Sequence, residues 1–368
     1  MREKVASSIP AWEIAFETWH VSPMDTAANV SIVGAGIAGL AAAIGLAGQG
    51  RKVTLYERAA LLEEVGAGLQ LGPNAVRALQ AIGAWEAVEP VTTAPPAIRI
   101  HNGRTGKLLK DIELGAAFEQ RYGQPYRVAH RADLHGALAD MARHHANITM
   151  RLGHDADATT LGGLVIAADG VRSATRSRLF PESTARAVPE ILFRALVPMP
   201  SGDGLDNVNL WMFPGGHVVH YPVGKKRRLN IVAATNGERP EAFFAAAHDT
   251  LQHVIASAGS SWLEWPGAYV PELPSWHKDN ITLIGDAAHA TLPFLAQGAA
   301  MALEDAACLV SSQDWPARQA RTLRLHRQTL KTGEIYHLSG LKAFARDQVI
   351  AMTSASAFLK RLDWIYLG

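Results

Sequence analysis

The chain has 368 residues, 48% of them hydrophobic, with 35 lysines and arginines against 34 aspartates and glutamates. A chain of this length and apolar content can bury a large core, as two domains or as one large domain with an insertion. A formal net charge of +1 gives no global field for nucleic acid or an anionic membrane, so small molecules are the expected partners, with no nucleic acid, no membrane span and either a monomer or a homodimer. The single cysteine, Cys308, has no partner for a disulfide or a metal site. It falls in an apolar helical pattern, is expected to pack, and favours a reducing cytoplasm.

The N-terminal stretch MREKVASSIPAWEIAFETWHVSPMDTAAN places Glu13 and Glu17 where an export signal would need an apolar run, so no such signal is read. Met24 stands just before the first strand, and residues 1–23 read as a dispensable extension or a start-site artefact. Val30 to Ala47 carries no charge and approaches the length of a membrane span. Its glycines, however, are spaced for a turn, and Arg51 and Lys52 follow closely.

Val30 to Val33 reads as a short buried strand running into GAGIAG, and then into a helix with Leu40, Ala43, Ile44 and Ala47 at helical spacing. Gly34 allows the tight turn, Gly36 lets the backbone approach a pyrophosphate, and Gly39 lets helix and strand pack, while the helix start offers free N–H groups. Gly48 and Gly50 end the helix, KVTLYE makes a second strand, and Glu57 stands at its end. That is the distance expected for an acid holding ribose hydroxyls, which favours FAD or NAD over NADP at this site. The neighbouring Arg58 is grouped with it.

From Pro90 to about Pro125 the helical pattern gives way to turns and β-like runs, AIRIHN and GKLLKDIEL among them; YRVAHRADLHGALADMARHH then resumes with a helix. GGLVIAADGVRS reads as another apolar strand ending at Asp169 and Gly170. From about Val188 to Val270 the chain reads as strands joined by glycine turns: NVNLWMF, HVVHYPV, LNIVAAT. The basic run Lys225 to Arg228 fits a solvated hairpin turn. ITLIGDAAHATLPFLAQGAAMALEDAACLV, from Ile281 to Val310, reads as a strand, a Gly-Asp turn, a proline-containing loop and a helix opened by Gln297 and Gly298. The pattern is that of an α/β nucleotide-binding domain with β-rich material between its pieces.

GAGIAG, HRADLH, VIAADGVRS, LIGDAAHATLPFLAQGAAMALEDA and the terminal RLDWIY, in that order, resemble the single-component FAD-dependent aromatic hydroxylases. This is the para-hydroxybenzoate hydroxylase fold, and especially its salicylate hydroxylase-like branch. The resemblance runs from about residue 28 to the end. It implies a Rossmann-like FAD domain with an inserted β-rich substrate domain and C-terminal helices. The FAD domain takes 28–90, 126–185 and 275–340, the substrate domain 91–125 and 186–274, and the C-terminal helical segment 341–368. The resemblance also implies tightly held FAD, reduction by NADH or NADPH without a second Rossmann domain, a flavin C4a-hydroperoxide formed with O2, and attack on an activated aromatic ring. No second glycine fingerprint followed by a strand-end acid is found in the chain.

Carried over by motif, Gly34, Gly36 and Gly39 meet the pyrophosphate and Glu57 the ribose of FAD. Arg131 lies near the cofactor's phosphates or ribityl chain, or else forms a surface salt bridge with Asp133 or Glu119. Asp169 and Gly170 serve FAD and the nicotinamide nucleotide, with Arg172 as a phosphate contact; a turn that caps the next helix through Asp169 is compatible with either role. Asp286 holds the ribityl hydroxyls at the carboxyl edge of the sheet. The helix start at Gln297, Gly298 and Ala299 faces the flavin's pyrimidine edge, where a helix N-terminus stabilises negative charge. Gln70 and Pro293 border the flavin or substrate.

In HVVHYPV a strand alternates faces, so His217, Val219 and Tyr221 share one side and His220 the other. By the resemblance, His217 and Tyr221 face the substrate, and His217 helps a phenol lose its proton. Apart from the resemblance, a solvent-facing His and a core Tyr fit the same pattern. The segment RLGHDADATTL, between Met150 and Gly163, is shorter than the strand pair that usually precedes the DG motif. Three functions remain open: hydroxylation of a phenolic or heteroaromatic acid, with decarboxylation if the carboxylate sits on the attacked carbon; epoxidation or oxidation of a polyketide or quinone on the same fold; and nucleotide binding without turnover.

Overall fold

The computed structural model describes residues 29–62 and 67–367; the expectations for residues 1–23 and Met24 lie outside them. The described chain begins with β1 (Val30–Val33), α1 (Ile37–Gly48), β2 (Val53–Glu57), β3 (Gly68–Leu71), α2 (Pro73–Ala81) and α3 (Trp85–Val88). There follow β4 (Thr92–Thr93), β5 (Ala97–Asn102), β6 (Leu108–Glu113), α4 (Ala116–Tyr122), β7 (Arg127–His130), α5 (Arg131–His144), β8 (Ile148–Leu152), β9 (Leu164–Ala167) and α6 (Ala174–Leu179). The middle of the chain contributes β10 (Arg186–Pro198), β11 (Val208–Phe213), β12 (Gly216–Val223), β13 (Arg228–Thr235), α7 (Pro240–Phe243), α8 (Asp249–Ala256) and β14 (Leu263–Tyr269). The last part holds β15 (His277–Lys278), β16 (Ile281–Leu283), α9 (Asp286–His289), α10 (Gly298–Val310), α11 (Trp315–Tyr336), α12 (Gly340–Met352), α13 (Ala355–Lys360) and α14 (Asp363–Tyr366).

The main sheet has the order β15-β16-β9-β1-β2-β8, with every pair parallel except the edge pair β15 and β16. β9 is apolar on both faces, as a covered parallel sheet requires, with Val165 and Ile166 buried, and its neighbours bury Val30, Ile32 and Leu55. α1 is buried from Ile37 to Ala47 and packs against β1, β2 and β8 as well as α5 and α10. Helices hydrophobic all round belong in such an interior. Among the described residues no helix is long and apolar enough to cross a membrane.

The second sheet runs β14-β10-β13-β12-β11-β5-β6. Strand alternation gives it two unlike faces. On one, Phe193, Ala195, Trp211, Val218, Ile231 and Ala233 form a core with α8 residues Leu251, Val254 and Ile255. This corrects the reading of 188–270 as strands and turns alone. The apolar spacing of Leu251, Val254 and Ile255 is that of an amphipathic helix, which covers a sheet face that would otherwise meet water. α4 likewise occupies part of the 90–125 stretch read as turns and β-like runs; its C-cap, Gly123, has φ +70°. Of the basic run, 225–227 lie in the turn between β12 and β13 and Arg228 opens β13; Arg227 pairs with Asp206. A small third sheet, β3-β7-β4, touches β12 through β7 and β4.

Candidate active site

The glycine turn after β1 is dictated by close packing. Gly34 has φ +102°, and a Cβ on it would lie 2.4 Å from the Ala168 carbonyl oxygen. A Cβ on Gly39 would lie 1.9 Å from the carbonyl oxygen of Gly34. Gly36 differs: nothing lies within 4 Å of the position its Cβ would take, so open space fronts the start of α1. No side chain caps that helix start and no acid occupies its first turn, which leaves its N–H groups and positive dipole end for an anion. Glu57, at the end of β2, accepts hydrogen bonds from the Ala35 and Ala59 N–H groups, each at 2.9 Å. The neighbouring Arg58 is exposed.

Asp169 follows β9 and accepts from the Ser173 hydroxyl at 2.5 Å and the Thr175 N–H at 3.0 Å. It therefore caps α6 while remaining, like Gly170, only half-buried. Arg172 is exposed. The structure adds Arg176, unnoticed in the sequence. Its buried guanidinium donates to the carbonyls of Val171, Ser183 and Ala287, tying the ADG turn to α9.

Asp286 opens α9 with an exposed carboxylate beyond the carboxyl end of β16. Gly285 before it has φ +58° and donates its N–H to the Asp305 carboxylate at 2.8 Å. The same oxygen of Asp305 lies 2.6 Å from His289 Nε2, and its other oxygen accepts from Arg318 Nε at 2.7 Å. Burial raises the Asp305 carboxyl, but His289 and Arg318 pull it to a net value below the usual range. Asp305 is thus a buried anion that fixes the turn presenting Asp286.

The start of α10 also lacks a side-chain cap and an acid in its first turn. Gln297 is buried and accepts from Asn74 at 2.9 Å, whereas Gly298 is exposed with nothing within 4 Å of its Cβ position, and Ala299 is half-buried. Two bare helix starts, a strand-end glutamate and an exposed aspartate at the carboxyl edge of the main sheet fit the phosphates and hydroxyls of FAD and the negative charge its ring carries when reduced.

Over this region lies the second face of the second sheet. Tyr221 is buried and hydrogen-bonded to Gln70, whose Oε1 also accepts from the Tyr126 hydroxyl at 2.5 Å. Burial raises the Tyr221 phenol well above its ordinary value, against the pull of Arg194. Gly68 makes room here, since a Cβ on it would lie 2.6 Å from the Tyr221 ring. Arg194, on β10, stands over the Trp265 ring at 5.2 Å, and its Nε has no hydrogen-bond partner. Arg194, Asn230, Leu263 and Trp265 line a cavity of about 240 Å3.

His217 is 3% exposed. Its ring meets Phe294 at 5.2 Å and Tyr336 at 5.3 Å, and its Nδ1 lies 2.9 Å from His337 Nε2. Burial, with His337 beside it, lowers its pKa to about 3. His220 points the other way, accepting from Trp211 Nε1 at 2.9 Å. The structure therefore puts His217 and Tyr221 on one face, next to Phe294, Gln70 and the segment that follows Pro293. Arg131 is half-buried at the start of α5, its N–H bonded to the Ala67 carbonyl at 2.9 Å. Sequence reasoning missed His337 and Arg194. Neither lies in a motif, and only long-range pairing brings them here.

A family model described as an FAD binding domain matches residues 27–325. The 3-hydroxybenzoate 6-hydroxylase of Polaromonas naphthalenivorans (strain CJ2) is 30% identical, over 92% of this chain and 95% of its own. The 3-amino-4-hydroxybenzoate 2-monooxygenase of Streptomyces cremeus is 34% identical over 93% and 96%. Klebsiella pneumoniae HpxO complexed with FAD and uric acid superposes with TM-score 0.77 at 22% identity, covering 92% of this chain and 97% of that one. A salicylate hydroxylase substrate complex gives 0.72 at 23%, covering 93% and 95%. The chain belongs to the family of FAD-dependent aromatic hydroxylases.

Proposed function

We propose that this enzyme hydroxylates the ring of a phenolic or heteroaromatic carboxylic acid, using NADH or NADPH as the electron donor. The observation that carries the reading is His217. It is buried on the same sheet face as Tyr221, with Nδ1 engaged by His337 and no hydrogen bond to Nε2 among the described residues. A neutral imidazole with one bare nitrogen accepts a proton from a phenol placed against it, and a phenolate ring is more easily attacked by an electrophilic oxygen. Tyr221, held protonated by burial, orients the same substrate by hydrogen bonding. Arg194, with an unpartnered Nε and an aromatic shelf beneath it, suits the acid's carboxylate.

Gly34, Gly36 and Gly39 admit the pyrophosphate, Glu57 the ribose, and Asp286 the ribityl chain, while Gln297, Gly298 and Ala299 present backbone N–H groups to the ring. Arg58, Gln70, Arg131, Asp169 and Gly170 border the same cofactor. Bound FAD would supply two-electron reduction by the nicotinamide nucleotide and activation of O2. The named relatives act on hydroxylated benzoates, which supports the substrate class. The test is a panel of hydroxybenzoates, aminohydroxybenzoates and hydroxypyridine carboxylates, scored for stimulation of NADH and NADPH oxidation, with products identified by mass. A hydroxylated product from at least one acid is expected; no stimulation by any of them would remove the reading.

A further inference from the structure

We propose that His337 is the outlet for the substrate's proton, a positioning residue that acts through His217 and connects the buried pocket to solvent. The inference rests on the reading that His217 faces a substrate phenol. His217 Nδ1 and His337 Nε2 are 2.9 Å apart, and the rings stack at 5.2 Å with 29° between their planes. His217 is buried, whereas His337, just past the end of α11, is only half-buried. The pair therefore runs from the buried sheet face that carries Tyr221 to a half-buried position past α11.

Its surroundings come from five segments of the chain. Phe294, after Pro293, packs on both rings, at 5.2 Å from His217 and 5.8 Å from His337. Tyr336 from α11 packs on His217, and burial raises its phenol to about 12. Burial lowers the pKa of His337 on balance; Glu190 on β10 favours its protonated form, and Arg346 on α12 opposes it. Arg346 is itself held by Asp347 and donates to the carbonyls of Ile335 and Tyr336, which fixes the end of α11 and with it His337. The Gly215 N–H bonds to the His337 carbonyl at 2.9 Å, so the turn before β12 grips the same residue.

A proton would not stay on His217 at neutral pH, because burial holds that ring near 3 while a free phenol titrates near ~10. Handing it on avoids that resting place. The phenol O–H bond breaks as a bond forms to His217 Nε2. The Nδ1–H bond of His217 breaks as one forms to His337 Nε2, and the Nδ1–H of His337 releases its proton to water. The phenolate remains with the electron pair, and the net change is one proton moved from pocket to solvent. The sequence requires His217 to rest with hydrogen on Nδ1 and none on Nε2.

That requirement is tested first, without substrate, by nitrogen-15 histidine NMR of the FAD-loaded enzyme. A His217 protonated at Nδ1 is expected, and a proton on Nε2 would overturn the proposal. The second measurement mixes 3-hydroxybenzoate, as the probe, with enzyme in weak buffer containing a pH indicator. Wild type should release a proton as the probe binds. In His337→Ala and His337→Gln, release and kcat should fall by roughly 10- to 100-fold, within the range for positioned proton transfer, with KM changed by less than about twofold. Added imidazole should restore the alanine variant but not the glutamine variant, which keeps the hydrogen bond and lacks the second nitrogen. Wild-type release rates in both variants, or loss without imidazole rescue, would overturn the relay and leave His337 a packing residue. If 3-hydroxybenzoate neither binds nor stimulates NADH oxidation in wild type, the probe has failed as a substrate, and the NMR result alone decides the relay.

Discussion

His217 and His220 lie on one strand, and strand alternation gives them opposite surroundings. Burial lowers both to about 3, so the difference between them is in their partners rather than their basicity. His220 is capped by the Trp211 indole on the sheet's outer face, while His217 looks toward Phe294. His217→Ala is expected to lower kcat by about 10²- to 10⁴-fold, the span of a general base, and Tyr221→Phe to lower it less. Both should also divert NADH electrons to hydrogen peroxide. Comparing product formed with NADH consumed checks this, and normal coupling in both variants would refute the pocket assignment. His220→Asn should reduce thermal stability and leave the product-to-NADH ratio alone. The strand's period of two made this division legible from HVVHYPV. His337 was not legible, because a contact between residues 120 positions apart leaves no local pattern.

At the scale of an element, the glycine turn separates two kinds of glycine. Gly34 and Gly39 are required by backbone that lies too near for any side chain, whereas the Cβ position of Gly36 meets nothing within 4 Å, so packing does not require that glycine. Gly34→Ala and Gly39→Ala should therefore lower the melting temperature of the apoprotein. Gly36→Ala should leave it nearly unchanged while weakening FAD binding about tenfold or more, equivalent to about 1.4 kcal/mol. Flavin fluorescence titration beside thermal denaturation distinguishes them, and equal behaviour of the three variants would refute the division. The turn was legible because its chemistry is local: spacing, a strand before it and an acid after the next strand. α8 was obscured by short β-like runs on either side, and its helical spacing emerges only when Leu251, Val254 and Ile255 are taken together.

For the whole molecule, a buried ionic network joins α2, α10 and α11 to the last turn of the C-terminal helices. Arg318 bonds Asp305, Glu304 and the Met301 carbonyl, and Arg321 bonds Glu304 and the carbonyls of Trp364 and Ile365. Asn74 on α2 donates to Glu304 and to Gln297 at the start of α10. Removing one charge from such a network leaves the others unpaired. Asp305→Asn is expected to cost about 3–5 kcal/mol and to loosen the turn carrying Asp286, so that FAD affinity falls with stability. Denaturant unfolding with and without FAD checks this. The pH dependence has two sources of one sign. His217, His220 and His277 are kept neutral by burial, at about 3, 3 and 4 against an ordinary 6.5. The unfolded chain therefore binds more protons, and their stabilisation, complete above 6.5, declines as pH falls toward those values. Glu304 and Asp305, depressed below 4.5 and 3.8 despite burial, add a further loss at lower pH. Melting temperature should thus begin to drop just below neutrality and steepen below about pH 4.5; a flat profile from pH 7 to 5 would contradict the buried neutral histidines.

The order of the main sheet also bears on how the protein is made. β9 stands between β1 and β16, yet β16 emerges from the ribosome only after every strand of the second sheet. Until Ile281–Leu283 emerges, the nascent chain carries β9 with an unpaired apolar edge, a surface prone to join other chains. The second sheet, whose strands from β10 to β14 are closer in sequence, can close first and wait. The last strand to arrive is closely followed by Asp286, so the step that seals the edge against aggregation also brings into place the acid proposed to hold the ribityl chain.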